Sequence, residues 1–258
     1  MSEIYSESLQ KPFAAQTGRT FKDLWEISVT RVNETAENKR ARREENMKRF
    51  IDEVTVNAEE IPVENRIAPK DFYVDPILKE AENYLEIDEH RHMFAAMLAK
   101  SMDKRYLNDF RLSFVDIIKQ LTPRDAENLA NIAKNKRDNK IYNIELFDEA
   151  QSPAPAYKYE GVYIGKKANF DLDSQILSLN ALKSLGLMIY NIGAEKFMAS
   201  CNREYNLDSI FLQKYNDADI GYIINHIPYE ISFNFTLKFV RGLIFLTPLG
   251  NSFVKVCL

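Results

Sequence analysis

The stretch Ile231–Gly250, ISFNFTLKFVRGLIFLTPLG, decides the fold class of the second half of this 258-residue chain. Large apolar residues alternate with polar ones from Ile231 to Phe239, and this period of two predicts a half-buried β-strand. Arg241-Gly242 is then expected to turn the chain back, so that Leu243–Leu246 pairs with the first strand as a hairpin. The segment therefore predicts a strand pair close to the end of the chain.

The residues before this stretch predict a helix and two further strands. Asp173 is expected to cap a helix that runs to Leu185 and ends at Gly186, the residue that most easily adopts a left-handed backbone. The strands are expected at Ile141–Phe147 and Tyr157–Ile164, and another helix between Leu207 and Tyr215. A helix ending in Leu-Gly-Leu, a later strand pair and a Leu-Thr-Pro-Leu-Gly segment together resemble a winged helix. We therefore predict a winged-helix-like α+β module over residues 137–258.

The first half of the chain is predicted to be helical, over residues 1–136. A long helix is expected from Thr17 to Val56, and it contains no large apolar residue between Glu34 and Asn46. A helix segment that is polar on every side projects into solvent or bridges packed parts, so we predict a charged, exposed helical arm. Four shorter helices are expected to follow: one capped by Asp75 with Pro76 as its first residue, one capped by Asp88, one around Phe114–Leu121 and one that begins at Thr122-Pro123. The predicted fold class is thus mainly α, with an N-terminal helical module and a C-terminal α+β module.

The composition excludes several common classes of enzyme. The chain has only 8 glycines and a formal net charge of -4, and no glycines are grouped as a phosphate-binding loop requires. It also has no nucleophile elbow and no paired-cysteine zinc motif. Two cysteines, Cys201 and Cys257, are typical of a reducing compartment. We therefore predict a cytoplasmic protein without a membrane span, and we identify no catalytic residue, metal ligand or cofactor.

Two groups of residues are candidates for binding a partner. The arm carries cations that could contact nucleic acid or an acidic partner, although glutamates beside them favour a solvated face. The helix that begins near Asp173 is expected to expose polar residues able to bond base edges, but it has only one cation, and DNA affinity depends on several. A protein partner is therefore favoured over DNA. The candidate partner-binding residues are Arg40, Arg42, Arg43, Gln175, Ser178 and Lys183.

His90 and His92 lie near a predicted helix start, each with an acid four residues before it. Residues two positions apart point to different sides of a helix, so a single metal ion cannot use both histidines. We predict two solvated histidines.

Three segments and the C-terminus point to a known family. The segments are Pro76–Ala81 (PILKEA), Met93–Asp103 (MFAAMLAKSMD) and Ser113–Pro123 (SFVDIIKQLTP), and the terminus is Leu246–Gly250 (LTPLG) followed by Phe253 and Cys257. Together they resemble the Abi-alpha family of bacterial proteins, which is linked with abortive infection, a form of phage defence. Where the family is expected to have His-Pro before the Ser-Phe step, this chain has Arg111-Leu112, so no histidine chemistry transfers. The resemblance implies a biological setting and no catalytic residues.

On these grounds we predict an anti-phage protein of the abortive-infection type that acts by binding a phage or host protein rather than by catalysis. Nucleic acid and a second copy of the chain stay open as partners. The alternative is a winged-helix DNA-binding transcriptional regulator. A third hypothesis is a nuclease-like enzyme with a site assembled from acids distant in sequence.

Overall fold

The computed structural model describes residues 37–135, 139–147, 155, 157–165, 170–200, 218–227 and 236–258. Three predicted segments lie outside these residues: the part before residue 37 of the helix predicted from Thr17 to Val56, the helix predicted at 207–215, and the first part of the predicted strand, at 231–235. The chain divides into two compact units. The first contains the described residues up to Pro123 together with Ser252–Leu258, and the second contains those of Arg124–Asn251. The predicted boundary between residues 136 and 137 falls outside the described residues and stays a prediction.

The first unit is built from helices, as the sequence predicts. They are α1 (Glu37–Glu59), α2 (Asp71–Ala81), α3 (Asp88–Lys100) and α4 (Ser113–Gln120), with 3₁₀ turns at Val63–Asn65 and Lys104–Tyr106. Helix α3 lies at the centre, where Phe94, Met97 and Leu98 are completely buried. The end of the chain also belongs to this unit: the ring of Phe253 meets that of Phe114 edge-on, with ring centroids 5.3 Å apart.

Helix α1 has a buried stripe only in its second half. Asn46, Phe50 and Val54 are buried at a spacing of four, whereas residues 41–45 include no buried side chain. Phe50 and Val54 supply the apolar area that holds α1 in place, and the polar residues before Asn46 have none to supply. Residues 41–45 of α1 therefore lie at the surface, and the predicted arm as a whole stays a prediction.

Two of the predicted helix starts in this unit are wrong. Helix α2 begins at Asp71, so Pro76 lies inside it rather than at its first position. The proline removes the N–H that would bond the carbonyl of Phe72, and this is tolerated because Phe72 is on the outer side, 67% exposed. Asp88 is the first residue of α3 and not its cap, and its carboxylate instead accepts a hydrogen bond from Arg91 at 2.7 Å.

The second unit combines helices with an antiparallel sheet. Its helices are α5 (Pro123–Lys134), which begins at the boundary, α6 (Leu172–Ser184) and α7 (Ala218–Ile224). Its strands are β1 (Lys140–Phe147), β2 (Tyr157–Val162), β3 (Met188–Ser200) and β4 (Thr236–Leu246), arranged in the order β2-β1-β4-β3. The last helix, α8 (Pro248–Cys257), begins in this unit. The predicted start of α5 at Pro123 and the strand β1 are confirmed.

The predicted hairpin at Arg241-Gly242 is wrong. Strand β4 runs straight through both residues and pairs with β1 on one side and with β3 on the other. Gly242 is needed for a different reason: a Cβ there would overlap the carbonyl oxygen of Asn191 on β3. With a single long strand in place of the hairpin, the winged-helix assignment is not confirmed.

The two ends of β4 are buried on opposite faces. Leu237 and Phe239 are buried in a core that includes Ile144 of β1 and Ile223 of α7. Beyond Arg241 the buried position is Ile244, whereas Leu243 and Phe245 are exposed. The register with β1 is regular from Thr236 to Leu243, and the shift in the register with β3 lies between Ile192 and Lys196 of β3, so the faces of β4 itself do not exchange. The covered side of β4 therefore changes near its middle.

The step from α6 to β3 is locked by the start of α8. As predicted, α6 is followed by Gly186 in a left-handed conformation, with φ of 71°. Thr247 precedes α8; its hydroxyl donates to the Gly186 carbonyl and accepts from the Gly250 N–H at 2.9 Å. The cap of α6 is Asp171 and not Asp173, because the Asp171 carboxylate accepts from the N–H of Ser174 at 2.9 Å. The Leu-Thr-Pro-Leu-Gly segment is therefore a helix-capping element.

Candidate functional site

Two of the candidate residues on α6 are not available to a partner. Gln175 and Ser178 are 4% and 3% exposed, and the side-chain amide of Asn128 donates to both, at 2.6 Å and 2.9 Å. The expectation that they are exposed is wrong because they share the buried face of α6 with Leu179 and Leu182. They are polar because Asn128 of α5 faces them across the interior.

Lys183 is the candidate on α6 that reaches the surface. Its ammonium lies 4.4 Å from the centre of the Tyr190 ring, a cation–π contact. At the other end of the helix, the hydrogen bond from Ser174 lowers the pKa of Asp171, so this carboxylate stays charged. With one cation at its end, two anions at its start (Asp171 and Asp173) and the Gln175 amide buried, α6 lacks the several phosphate contacts on which DNA affinity depends.

The arm places two of its three candidate arginines on the surface. Arg42 and Arg43 are exposed, and the Arg42 guanidinium lies 3.6 Å from the carboxylate of Glu86 with both side chains more than half exposed. Arg40 lies in the first turn of α1, and its side chain is outside the described part. The arm belongs to the first unit and Lys183 to the second, so neither unit by itself brings the two groups of candidates together.

The exposed apolar residues at one end of the sheet were missed by the sequence analysis. Ile189 of β3 lies directly opposite Phe245 of β4, and Leu243 is two residues before Phe245 on the same face. These side chains are 55%, 47% and 39% exposed. The three residues are termed the sheet-end patch. It continues the sheet face that carries Leu237 and Phe239, past the point where the core stops covering that face.

Neither the predicted hairpin nor the alternation of apolar residues identifies this patch. Alternation in Ile231–Phe239 predicts which side of that segment is buried, and extending the same alternation to Leu243 and Phe245 would have buried both. The exposure of these two residues depends on how far the covering helix α7 reaches, which no local pattern reports.

A charged cluster links α1 to α3. Arg91 of α3 is only 6% exposed, and its guanidinium donates to Glu53 of α1 at 2.8 Å and to Asp88 at 2.7 Å. The hydrogen bond and charge of Arg91 hold the pKa of Asp88 below its usual range. The ring nitrogen Nδ1 of His92 lies 2.9 Å from the second oxygen of Glu53. The group is termed the α1–α3 clamp: Glu53, Asp88, Arg91 and His92.

The two histidines predicted to be solvated differ from each other. His92 is 62% exposed, as predicted. His90 is 2% exposed, so that prediction is wrong, and its ring stacks on Tyr84 with ring centroids 5.2 Å apart. Its burial lowers the pKa of His90, against the raising effect of the Leu121 and Ile118 backbone. The neutral ring therefore acts as part of the core.

Within the described residues there is no group of three or more histidine, cysteine or acidic side chains that could hold a metal ion. Cys257 is free and buried, and burial raises its pKa well above the usual value, which makes it a poor nucleophile. No helix in these parts of the chain has both the length and the apolar character needed to cross a membrane.

Comparison with known proteins gives one match. The family model described as Abi_alpha, "Abortive infection alpha", matches residues 42–257. Neither the curated proteins nor the solved structures contain a significant match to the chain.

Proposed function

Since this chain belongs to the abortive infection alpha family, whose model matches residues 42–257, we propose that it defends bacterial cells against phage by binding a protein partner in the cytoplasm. The partner is a phage or host protein, and binding it leads to the death or arrest of the infected cell. The family supports the setting of abortive infection. The mode of action is argued from the surfaces of the two units.

The observation that carries the binding proposal is the sheet-end patch. Ile189, Leu243 and Phe245 are large apolar side chains that lie side by side on one face of the sheet. Contiguous apolar surface on a folded protein commonly marks an interaction site. A phenylalanine held on a rigid strand also loses little conformational entropy on binding, so Phe245 is proposed as the central contact.

The cationic candidates supply a second, electrostatic contribution. Arg40, Arg42 and Arg43 on the arm, and Lys183 on α6, are proposed to attract acidic groups of the partner. Exposed charges of this kind change the association rate and its salt dependence more than the final affinity. Gln175 and Ser178 are proposed to act only indirectly, by fixing α6 against α5 through Asn128.

The alternative of a winged-helix DNA-binding regulator is not supported. Its recognition helix would be α6, whose Gln175 and Ser178 are bonded in the interior. Its wing would be the hairpin at Arg241-Gly242, where β4 instead continues without a turn.

Phage infection of cells that express single variants tests the proposal. Phe245→Lys replaces the centre of the sheet-end patch with a charge, and phage yield is expected to rise toward that of cells lacking the protein. Phe72→Lys is the matched control, because Phe72 is an equally large exposed residue, 67% exposed, in the other unit. We expect this control variant to protect as well as the wild type.

The same variants identify the partner. In infected cells, a photo-crosslinking amino acid at position 245 is expected to crosslink to one partner protein. The same amino acid at position 72 is expected to give no such crosslink. Full protection by a folded Phe245→Lys protein, or equal crosslinking from both positions, would reject the sheet-end patch as the binding surface. If cells that express the wild-type protein gave the same phage yield as cells that lack it, for every phage of a varied panel, the defence role itself would be rejected.

A further inference from the structure

Strand β3 lies at one edge of the sheet, and its first half lacks the features that usually protect such an edge. Within the described part of the chain, β3 pairs with β4, and no strand lies on its outer side. Edge strands are commonly guarded by charged residues or proline, because their unpaired backbone groups bind other strands. The segment Met188–Gly193 contains neither. At the opposite edge, β2 carries the charged residues Lys158 and Glu160.

A hydrogen bond at the start of β3 decides which of its backbone groups face outward. The carbonyl of Leu187 accepts the N–H of Thr247, the residue that follows β4, at 3.1 Å. Backbone groups point to alternate sides along a strand, so the odd-numbered residues in this part of β3 face β4. In agreement with this, the carbonyl oxygen of Asn191 lies against β4. The N–H and C=O groups of Tyr190 and Ile192 therefore point away from β4, toward the open edge.

The edge is accessible beyond Met188, which is completely buried. Tyr190 and Ile192 are half-buried, and Gly193 is exposed. Because a glycine has no side chain, the exposed surface of Gly193 belongs to the backbone. Outward N–H and C=O groups on an exposed strand edge are matched by the backbone of another extended segment. The backbone therefore specifies a β-strand as the occupant of this edge.

The two faces beside the edge differ in chemistry. On one face lies Ile189 of the sheet-end patch. Tyr190 projects to the opposite face, where the Lys183 ammonium lies 4.4 Å from the centre of its ring. Lys183 is exposed, and no acidic side chain pairs with it among the described residues. Side chains of an added strand alternate between the two faces, so apolar ones suit the Ile189 side and acidic ones suit the Lys183 side.

We infer that the partner adds an extended segment of alternating apolar and acidic residues to the edge of β3 at residues 190–192, an inference that rests on the proposed function and names the partner's chemistry. The apolar side chains of this segment cover Ile189 and reach toward Phe245, which lies opposite Ile189 on β4. An acidic side chain on the other face pairs with Lys183. One bound segment thereby uses the sheet-end patch and the cation of α6 together.

Purified full-length protein and two short synthetic peptides of equal length test the strand addition without phage or cells. One peptide alternates valine with glutamate, and the other alternates valine with lysine. With excess valine–glutamate peptide, amide hydrogen exchange is expected to slow at Tyr190 and Ile192. It is expected to stay unchanged at Ile189 and Asn191, whose N–H groups already face β4. The valine–lysine peptide is expected to bind about fivefold more weakly, as for the loss of one exposed ion pair.

Variants separate the backbone contribution from that of the charge. Ile192→Pro removes an outward N–H, which an edge strand tolerates, and peptide binding is expected to be lost. Ile192→Ala keeps this N–H and is the matched control, expected to retain binding. Lys183→Glu is expected to reverse the preference between the two peptides, and this surface substitution keeps the test valid even if Ile192→Pro does not fold. Lys158→Glu, at the opposite edge, should leave the preference unchanged.

Two results would overturn the inference. Exchange that slows at neither outward amide, or equally at every amide from Ile189 to Ile192, would reject strand addition. Equal affinity for the two peptides would reject an acidic segment. A crosslink from position 245 in infected cells without any peptide binding would reject the added strand and keep the proposed function, whereas peptide binding by a protein that gives no phage protection would do the reverse.

Discussion

Gly250, in the first turn of α8, lies so close to Leu187 that a Cβ on the glycine would overlap the leucine carbonyl oxygen. Leu187 is itself fully buried, between the end of α6 and the start of β3. The carbonyl also accepts the backbone N–H of Thr247 at 3.1 Å. The start of α8 therefore packs directly against the main chain at Leu187. A main chain has less freedom to adjust than a side chain would have.

Gly250→Ala is expected to lower the free energy of unfolding by about 2–3 kcal/mol, because backbone must move to admit the methyl group. Chemical denaturation of purified protein measures the change. Gly186→Ala is the control: Gly186 needs its positive φ, but a Cβ there would meet only the Leu249 side chain at an ordinary contact distance of 3.7 Å, so about 1 kcal/mol is expected there. An equal or smaller cost for Gly250→Ala would contradict the close approach.

Arg91→Met should lower the free energy of unfolding by about 2 kcal/mol, because it leaves the partly buried Glu53 carboxylate, 21% exposed, without the guanidinium that donates to it. Arg42→Met removes the exposed pair with Glu86 and should cost less than about 0.5 kcal/mol. Thermal unfolding of the two variants compares them directly. The clamp would lose its structural role if both variants unfolded at the same temperature.

Acid should destabilise the first unit through His90. Its folded pKa is below the unfolded value of about 6.5, so the unfolded chain binds more protons and stability falls as the pH drops below that value. The stability of His90→Gln is expected to change less over this pH range, even if its stability at neutral pH is lower. Denaturant unfolding at a series of pH values measures the slope, and an unchanged slope in the variant would show that other groups dominate.

At high pH, the group whose ionisation is expected to lower stability is Tyr163 in the second unit. Burial raises the pKa of Tyr163 to about 12, whereas an unfolded tyrosine ionises near 10. The folded chain therefore holds this proton more strongly, and stability is expected to fall as the pH rises from about 10 to 12. An absorbance titration should show one phenol ionising late, and Tyr163→Phe should lack it. Ionisation of every tyrosine at the ordinary pH would contradict the burial of this ring.

The sequence predicts those features that depend on neighbours along the chain. The start of α5 follows from Pro123, the strand β1 from its β-branched and aromatic residues, and the end of α6 from Gly186. The choice between Asp171 and Asp173 as the cap already exceeds what sequence can decide, because both residue types suit the position. Only the carboxylate that reaches the Ser174 N–H is the cap.

The errors about the candidate site have a common cause in contacts between distant residues. Gln175 looks like a surface residue until Asn128, 47 positions earlier, is placed opposite it. Gly242 looks like a turn until β3 arrives beside it. Helical spacing of Leu172, Gln175, Leu179 and Leu182 was a usable signal for the burial of Gln175, but it does not say which residue would bond the amide.

The change of covered side along β4 restricts how this strand can pair. In an ordinary half-buried strand, a slip of two residues returns every apolar side chain to the same side, so the pattern tolerates it. In β4 such a slip would move the change of covered side away from Arg241-Gly242, so that an apolar residue near Leu237 or Phe239 would lie in the wrong environment. It would also put a residue with a side chain in the place of Gly242, against Asn191. Slips by one and by two are both penalised, and the strand has a single acceptable alignment between its two neighbours.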